Sequence, residues 1–199
     1  LILTGNDSGN ISGSATSTGS FGTLQIPGKF IIDSNSVISL SNNDSGLNST
    51  IFGKSAGSNV TGDRNTFFGN LAGHTNSSGD DNTYIGASAG QANTGTGDDN
   101  TFVGSHSGYQ LTGGSSNTAV GRSSLSAITS GASNTIIGEQ AGVAITVGSD
   151  NTAAGRFALS AEVSGQRSVA IGNSALGSQV LGAAWSYNTA VGWGAGGNN

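Results

Sequence analysis

One short motif recurs along this chain at a nearly constant interval of 17 residues. Copies such as NTFFGNLAG, NTYIGASAG and NTIIGEQAG share one glycine, which we use as position 0 of each repeat. These glycines are Gly53, Gly69, Gly86, Gly104, Gly121, Gly138, Gly155, Gly172 and Gly192. Their spacings are 16, 17, 18, 17, 17, 17, 17 and 20 residues. A repeat of this length indicates a solenoid, in which each unit buries its apolar face against the next.

The composition favours strands and turns. Gly, Ser, Asn and Thr form just over half of the 199 residues, and Cys is absent. Gly costs about 1 kcal/mol relative to Ala inside a helix, which excludes a helical bundle. With 6 Lys plus Arg against 11 Asp plus Glu, no nucleic-acid partner is predicted. No apolar run approaches the roughly 20 residues of a membrane span.

Each repeat is long enough for about two short strands and two turns. Gly and Asn suit tight corners because they tolerate positive φ. Stacked at about 4.8 Å, nine coils would rise about 43 Å. We therefore predict an all-β fold: a β-solenoid, or β-roll, of about nine stacked 17-residue coils over residues 48–199, preceded by a short irregular β segment over residues 1–47.

The residues that occupy one position of the repeat in successive coils are called a column, numbered from the motif glycine. Columns −2 and −1 are both apolar in every repeat. Neighbouring strand residues point to opposite faces, so one column fills the coil and the other faces outward. An apolar stripe along a rod normally marks an interface. Either a wider single-chain solenoid covers it, or identical chains do, most simply as a parallel trimer. We predict that the outer, assembly column is Ile51, Phe67, Tyr84, Phe102 and Ile136.

Polar columns complete the repeat. The asparagines at position −4 are predicted to form a coil-stacking ladder of side-chain amides: Asn65, Asn82, Asn100, Asn117, Asn134, Asn151 and Asn188. The Thr column at position −3 shares a face with column −1. This assignment turns Thr inward and argues against ice binding.

The NTxxGxxAG copies resemble the repeats of bacteriophage and bacterial tail-fibre-type proteins, many of which end in a self-cleaving chaperone of the endosialidase type. They are more distantly similar to the head coils of YadA-like trimeric autotransporter adhesins, with SVAIGNSAL at residues 168–176 as the nearest copy. The resemblance implies an elongated, trimeric, extracellular β-roll. The YadA coil is shorter than 17 residues.

The first 47 residues do not follow the repeat. Residues 23–26 and 29–32 flank Pro27-Gly28, a favourable turn dipeptide, and residues 36–40 could form a third strand. We predict an assembly or capping role for this segment. Residues 1–4 are either a frayed end or a strand that pairs with the next subunit and extends the rod end to end.

No candidate catalytic constellation is evident. His74 and His106 occupy different columns, away from any repeated carboxylate, so we predict that the chain is not an enzyme and has no cofactor. The stacked acids Asp63, Asp80 and Asp98 leave Ca²⁺ binding open, although Arg64 is an alternative partner for them.

These observations favour a structural fibre protein: a rigid, self-associating extracellular filament or fibre shaft that could also be adhesive. The alternative is a phage or adhesin receptor-binding fibre that recognises cell-surface glycans. Filaments of regular axial repeat would indicate the first function. A discrete trimer that binds cells or glycans would indicate the second.

Overall fold

The computed structural model describes residues 48–179 and 186–197, which belong to one compact unit, Ser39–Asn199. Nine three-residue strands pair in chain order into a single parallel sheet. The strands are β1 (Thr50–Phe52), β2 (Thr66–Phe68), β3 (Thr83–Ile85), β4 (Thr101–Val103), β5 (Thr118–Val120), β6 (Thr135–Ile137), β7 (Thr152–Ala154), β8 (Val169–Ile171) and β9 (Thr189–Val191).

Every strand pairs with the next in the same register, so that column −2 of one coil lies on column −2 of its neighbour. Phe67 of β2, for example, pairs with Tyr84 of β3, which pairs with Phe102 of β4. The predicted all-β solenoid is confirmed: nine strands are joined by eight windings, and the described residues include no helix. Each repeat contains one strand, so the expectation of about two was wrong.

Left-handed backbone conformations explain the short strands. Each full coil has non-extended corners at positions +2 and +4 and again at −5, as at Ser123, Leu125 and Ser133, where φ is 54°, 51° and 58°. The corners at −5 and +2 flank each three-residue strand and limit its extended run. In a 17-residue coil, the seven residues between the corners at +4 and −5 form turns, bends and irregular backbone. Ser, Asp, Arg and Leu occupy these corners as well as Gly. The contacts repeated from coil to coil hold the non-glycine residues at positive φ despite its energetic cost.

The motif glycine is required by sterics as well as by its backbone angles. Gly121 has φ +131°, and a Cβ built on it would lie 2.6 Å from the carbonyl oxygen of Gly138 in the next coil. The same close approach recurs from Gly53 to Gly172. This contact sets how closely successive coils stack, and no side chain fits there.

Column −2 forms the interior of the solenoid. Phe67, Tyr84 and Phe102 are fully buried, and their rings stack at 5.0 Å between centroids. Ile136 is also fully buried, and Ile51 packs against the same core. The outward, assembly-column placement predicted for these five residues is therefore wrong.

The size of the column −2 side chain is matched to that of position +4 in the same coil. Gly73, Gly90 and Gly108 stand beside the three stacked aromatic rings, and a Cβ on Gly108 would lie 2.2 Å from Phe102. Where column −2 shrinks to Ala119, position +4 holds the buried Leu125. The same exchange occurs in two further coils, as Ala153 with Leu159 and Ala170 with Leu176. The two positions thus share one volume of core.

Stacked asparagine amides connect the coils at column −4. From Asn82 to Asn151, each backbone N–H donates to the Oδ1 of the preceding asparagine at 2.9–3.1 Å. From Asn65 to Asn151, each side-chain amide also donates to a turn-glycine carbonyl at 2.8–3.0 Å. Ser168 occupies the next coil, so Asn188 does not join this ladder, contrary to expectation; its amide donates to Gln179 instead.

The predictions for the N-terminal segment lie outside the described residues. They comprise the β segment over residues 1–47, its capping role and the terminal strand over residues 1–4. The first described residue, Asn48, leads directly into the solenoid and donates its backbone N–H to Asp63 Oδ1 at 2.6 Å.

Candidate assembly face

The exposed side of the parallel sheet is formed by the first and third residues of each strand, and we call it the outer face. Eight of the nine strands begin with Thr, and β8 begins with Val169. The third residues are Phe52, Phe68, Ile85, Val103, Val120, Ile137, Ala154, Ile171 and Val191. No residue of the outer face is charged. It therefore combines hydroxyls and apolar groups over nine coils.

Column −1 exposes much of its apolar surface. Phe68 is 55% exposed and Val191 is 67% exposed, and Phe52 stacks on Phe68 with 5.0 Å between ring centroids. Large exposed apolar side chains are ordinary when scattered, but a contiguous row of them marks an interaction surface. The chain thus has an apolar outer column, but this column is −1, whereas the predicted one was −2.

The Thr column lies on this outer face and not inside, so the orientation argument against ice binding was wrong. Among the described residues, the strand Thr hydroxyls such as Thr118 and Thr135 bond to no protein group. The turn Thr hydroxyls do: Thr112 Oγ1 donates to Thr129 O at 3.0 Å. The adjacent outer column varies in size from Ala154 to Phe68, which makes the face uneven where an ice lattice would need it flat.

An acidic edge precedes the sheet in the second to fourth coils. Asp81 accepts two hydrogen bonds from the Arg64 guanidinium, at 2.6 and 2.7 Å, and this pairing lowers the pKa of Asp81. Arg64 also contacts Asp63 at 2.8 Å. The pKa of Asp63 is lowered mainly by the backbone N–H of Asn48. These groups are partly exposed, so they contribute little to stability and set the local charge.

The opposite edge of the sheet carries alternating charges at position +1. Glu139 lies between two arginines of neighbouring coils, 2.9 Å from Arg122 and 3.4 Å from Arg156. The hydrogen bond from Arg122 is the main cause of the lowered pKa of Glu139. Arg156 also lies over the ring of Phe157, 4.3 Å from its centroid. An uncharged face is thus flanked by charged edges, as at the rim of an interface.

The stacked acids at column −6 satisfy backbone groups. Asp80 Oδ1 accepts the N–H of Asp63 at 2.7 Å, and Asp98 Oδ1 accepts the N–H of Asp80 at 2.8 Å. Within residues 48–179 and 186–197, no group of three or more His, Cys, Asp or Glu side chains is placed to hold a metal ion. The geometry therefore gives these acids a role in coil stacking, and Ca²⁺ binding gains no support from it.

The two histidines are not brought together. His74 Nδ1 lies 3.0 Å from the carbonyl oxygen of Ser55, and His106 Nδ1 lies 2.8 Å from Ser105 Oγ. The prediction that the chain is not an enzyme stays a prediction.

One buried carboxylate was not singled out from the sequence. Glu162 is fully buried in column +7, which holds buried Leu111, Ile128 and Ile145 in three coils and buried Asn76 and Asn93 in two others. Its Oε1 accepts the backbone N–H groups of the next three residues at 2.7–3.2 Å. It closes a turn that the aliphatic residues leave to other groups. The available signal was an acid in a column whose other residues are aliphatic or carry side-chain amides.

Comparison with protein-family models, curated proteins and solved structures gives no match for this chain. The part of the chain that the structure describes contains no helix long and apolar enough to cross a membrane. The outer face and its charged edges are consequently the basis on which a function can be argued.

Proposed function

We propose that this chain is a structural fibre module, a rigid rod whose outer face packs against copies of itself. The observation that carries the proposal is the unbroken, uncharged outer face along nine strands. In-register backbone hydrogen bonds and the amide ladder run along the rod and make it stiff. Self-association would bury the apolar column between identical chains.

The size of the face bears on the form of the assembly. Eight intervals of about 4.8 Å and strands of three residues give an area on the order of 400 Å². A standard interface buries about 800 Å² per partner. A single face-to-face contact is therefore small, and the proposed assembly has each chain touch two neighbours through the face and its edges. A parallel trimer is the smallest closed arrangement of this kind.

The experiment is a measurement of the native mass of the purified chain by sedimentation or native mass spectrometry. We expect an oligomer. Two outer-face changes, Ile85→Lys and Ile137→Lys, should each shift it toward monomer because a buried unpaired charge is costly. Ser130→Lys is the matched control, since Ser130 is exposed and lies outside the outer face. Its mass should equal that of the parent chain.

A monomeric parent chain would contradict the proposal, as would an oligomer that is indifferent to both outer-face variants. Circular dichroism of each variant separates loss of assembly from loss of fold.

Extracellular placement and end-to-end growth are part of the same proposal. Electron micrographs of the pure protein distinguish its two forms: filaments of regular axial repeat for a polymer, or short rods of one length for a fibre shaft. Recognition of cell-surface glycans by a discrete fibre is the competing function. Sugar binding alone is compatible with both functions, whereas filaments of regular axial repeat favour the first.

A further inference from the structure

A small notch lies on the side of the solenoid between the coils of β4 and β5. It has a volume of about 200 Å³ and is formed by three adjacent columns over these two coils. Its lining residues are His106 and Ser123, Tyr109 and Ser126, and Gln110 and Ala127, each pair being one column. None belongs to the outer face. We call this feature the lateral notch.

The notch exists because the repeat is interrupted in three columns at once. In the coil after β4 these columns carry large side chains, and in the coil after β5 they carry Ser123, Ser126 and Ala127. A large residue stacked directly on a small one leaves a step in the wall of the rod. Three such steps side by side make a concave site.

The walls of the lateral notch have the chemistry of a sugar site. The His106 and Tyr109 rings lie 5.6 Å apart between centroids and are tilted by 30°. The hydrogen bond between Ser105 Oγ and His106 Nδ1 restrains the first ring. Aromatic surfaces pack against the C–H groups of a pyranose, and the Gln110 amide can both donate and accept hydrogen bonds from hydroxyl groups.

The floor of the notch supports the same ligand. Ser123 and Ser126 each offer a hydroxyl that donates or accepts, and Ala127 adds a small apolar surface. No carboxylate, Lys or Arg lines the notch. A few polar groups around an apolar surface are typical of small-molecule sites. The volume suits one sugar ring.

We propose that the lateral notch binds a single neutral pyranose unit of a glycan. The site is independent of self-association, because its columns lie outside the outer face. Tyr109 provides the stacking surface, and Gln110, Ser123 and Ser126 contact the sugar hydroxyls. We expect a lone monosaccharide contact of this size to be weak, and repeated copies in an assembly would raise the avidity for a polymeric glycan.

The test is saturation-transfer NMR on the whole chain with glucose, galactose, mannose, fucose, N-acetylglucosamine and, as the charged comparison, N-acetylneuraminic acid. We expect at least one neutral sugar to bind and to shift the His106 or Tyr109 ring resonances. Tyr109→Ala should weaken that binding at least tenfold. Ser126→Tyr, which fills the notch, should do the same.

Ser58→Tyr is the matched control, because Ser58 belongs to the same column as Ser126 but lies in the first coil. It should leave binding unchanged. The proposal is overturned if no neutral sugar binds, if the charged sugar is preferred, or if Tyr109→Ala binds as the parent chain does. Native mass measured alongside reports the assembly separately, so the two proposals can fail independently.

Discussion

Exchanging a large and a small residue across one coil tests how the core of this solenoid is built. Phe102 and Gly108 share the volume that Ala119 and Leu125 share in the next coil. The double variant Phe102→Ala/Gly108→Leu converts the first arrangement into the second. We expect it to be more stable than either single variant, because each single change leaves the shared volume underfilled or overfilled.

The expected magnitudes follow from these contacts. Phe102→Ala leaves a buried cavity and should cost about 3–5 kcal/mol. Gly108→Leu drives a Cβ to within 2.2 Å of the Phe102 ring and places Leu in a left-handed corner, at a combined cost of about 2–5 kcal/mol. The double variant retains only the cost of placing a leucine at positive φ at position 108 and the loss of ring stacking, together about 1.5–3.5 kcal/mol. The coupling free energy should thus be about 1.5 kcal/mol or more.

Urea denaturation of the four chains, followed by circular dichroism, measures this cycle. The parallel pair Ala119→Phe/Leu125→Gly provides the reverse exchange and should show coupling of the same sign. Additive single effects, or a double variant less stable than both singles, would refute the shared-volume account of the core.

Three further predictions concern the stacking contacts and the charged edge. Gly121→Ala places its Cβ against the next coil and should cost more than about 3 kcal/mol, whereas Gly113→Ala, with open space around its Cβ, should change stability by no more than about 1 kcal/mol in urea melts. Asn117→Ala leaves two buried backbone groups unpaired and should cost about 2–6 kcal/mol in the same assay, and a loss under about 1 kcal/mol would contradict the ladder. Arg64→Ala should raise the pKa of Asp81 toward the ordinary value of an aspartate in an NMR titration. Because Arg64 lowers this folded-state pKa, its stabilising effect is present above about pH 4 and is lost as the pH falls, and an unchanged Asp81 titration would contradict the pairing.

The repeat fold could be predicted because its signals are periodic. A glycine recurring every 16–20 residues can be explained only if successive coils place it in one environment, and the structure shows that environment as a carbonyl 2.2–2.7 Å from the missing Cβ. Asn at position −4 likewise recurs because its amide satisfies both the next coil and a turn. Such contacts between coils can be recognised from a single sequence, because every coil places the same position of the repeat in the same environment.

The assignment of the two apolar columns could not be made from hydrophobicity alone. Phe67 and Phe68 are the same residue type, yet the first is fully buried and the second is 55% exposed. The signal that decides is the exchange of sizes between columns −2 and +4, visible in the pairing of Ala119 with Leu125. It identifies column −2 as interior without a structure. The number of strands was overestimated because the seven residues between the corners at +4 and −5 of a 17-residue coil form turns and bends instead of a second strand.

Every strand pair has the same register, so the geometry of the sheet does not fix the number of coils. β1 and β2 are joined by a 16-residue spacing and β3 and β4 by an 18-residue spacing, yet Thr still meets Thr in both pairs. Turns therefore absorb a missing or an extra residue locally. Gain or loss of one whole repeat rejoins equivalent surfaces, so gene duplication or deletion in units of one coil can tune the reach of such a protein without redesigning its core.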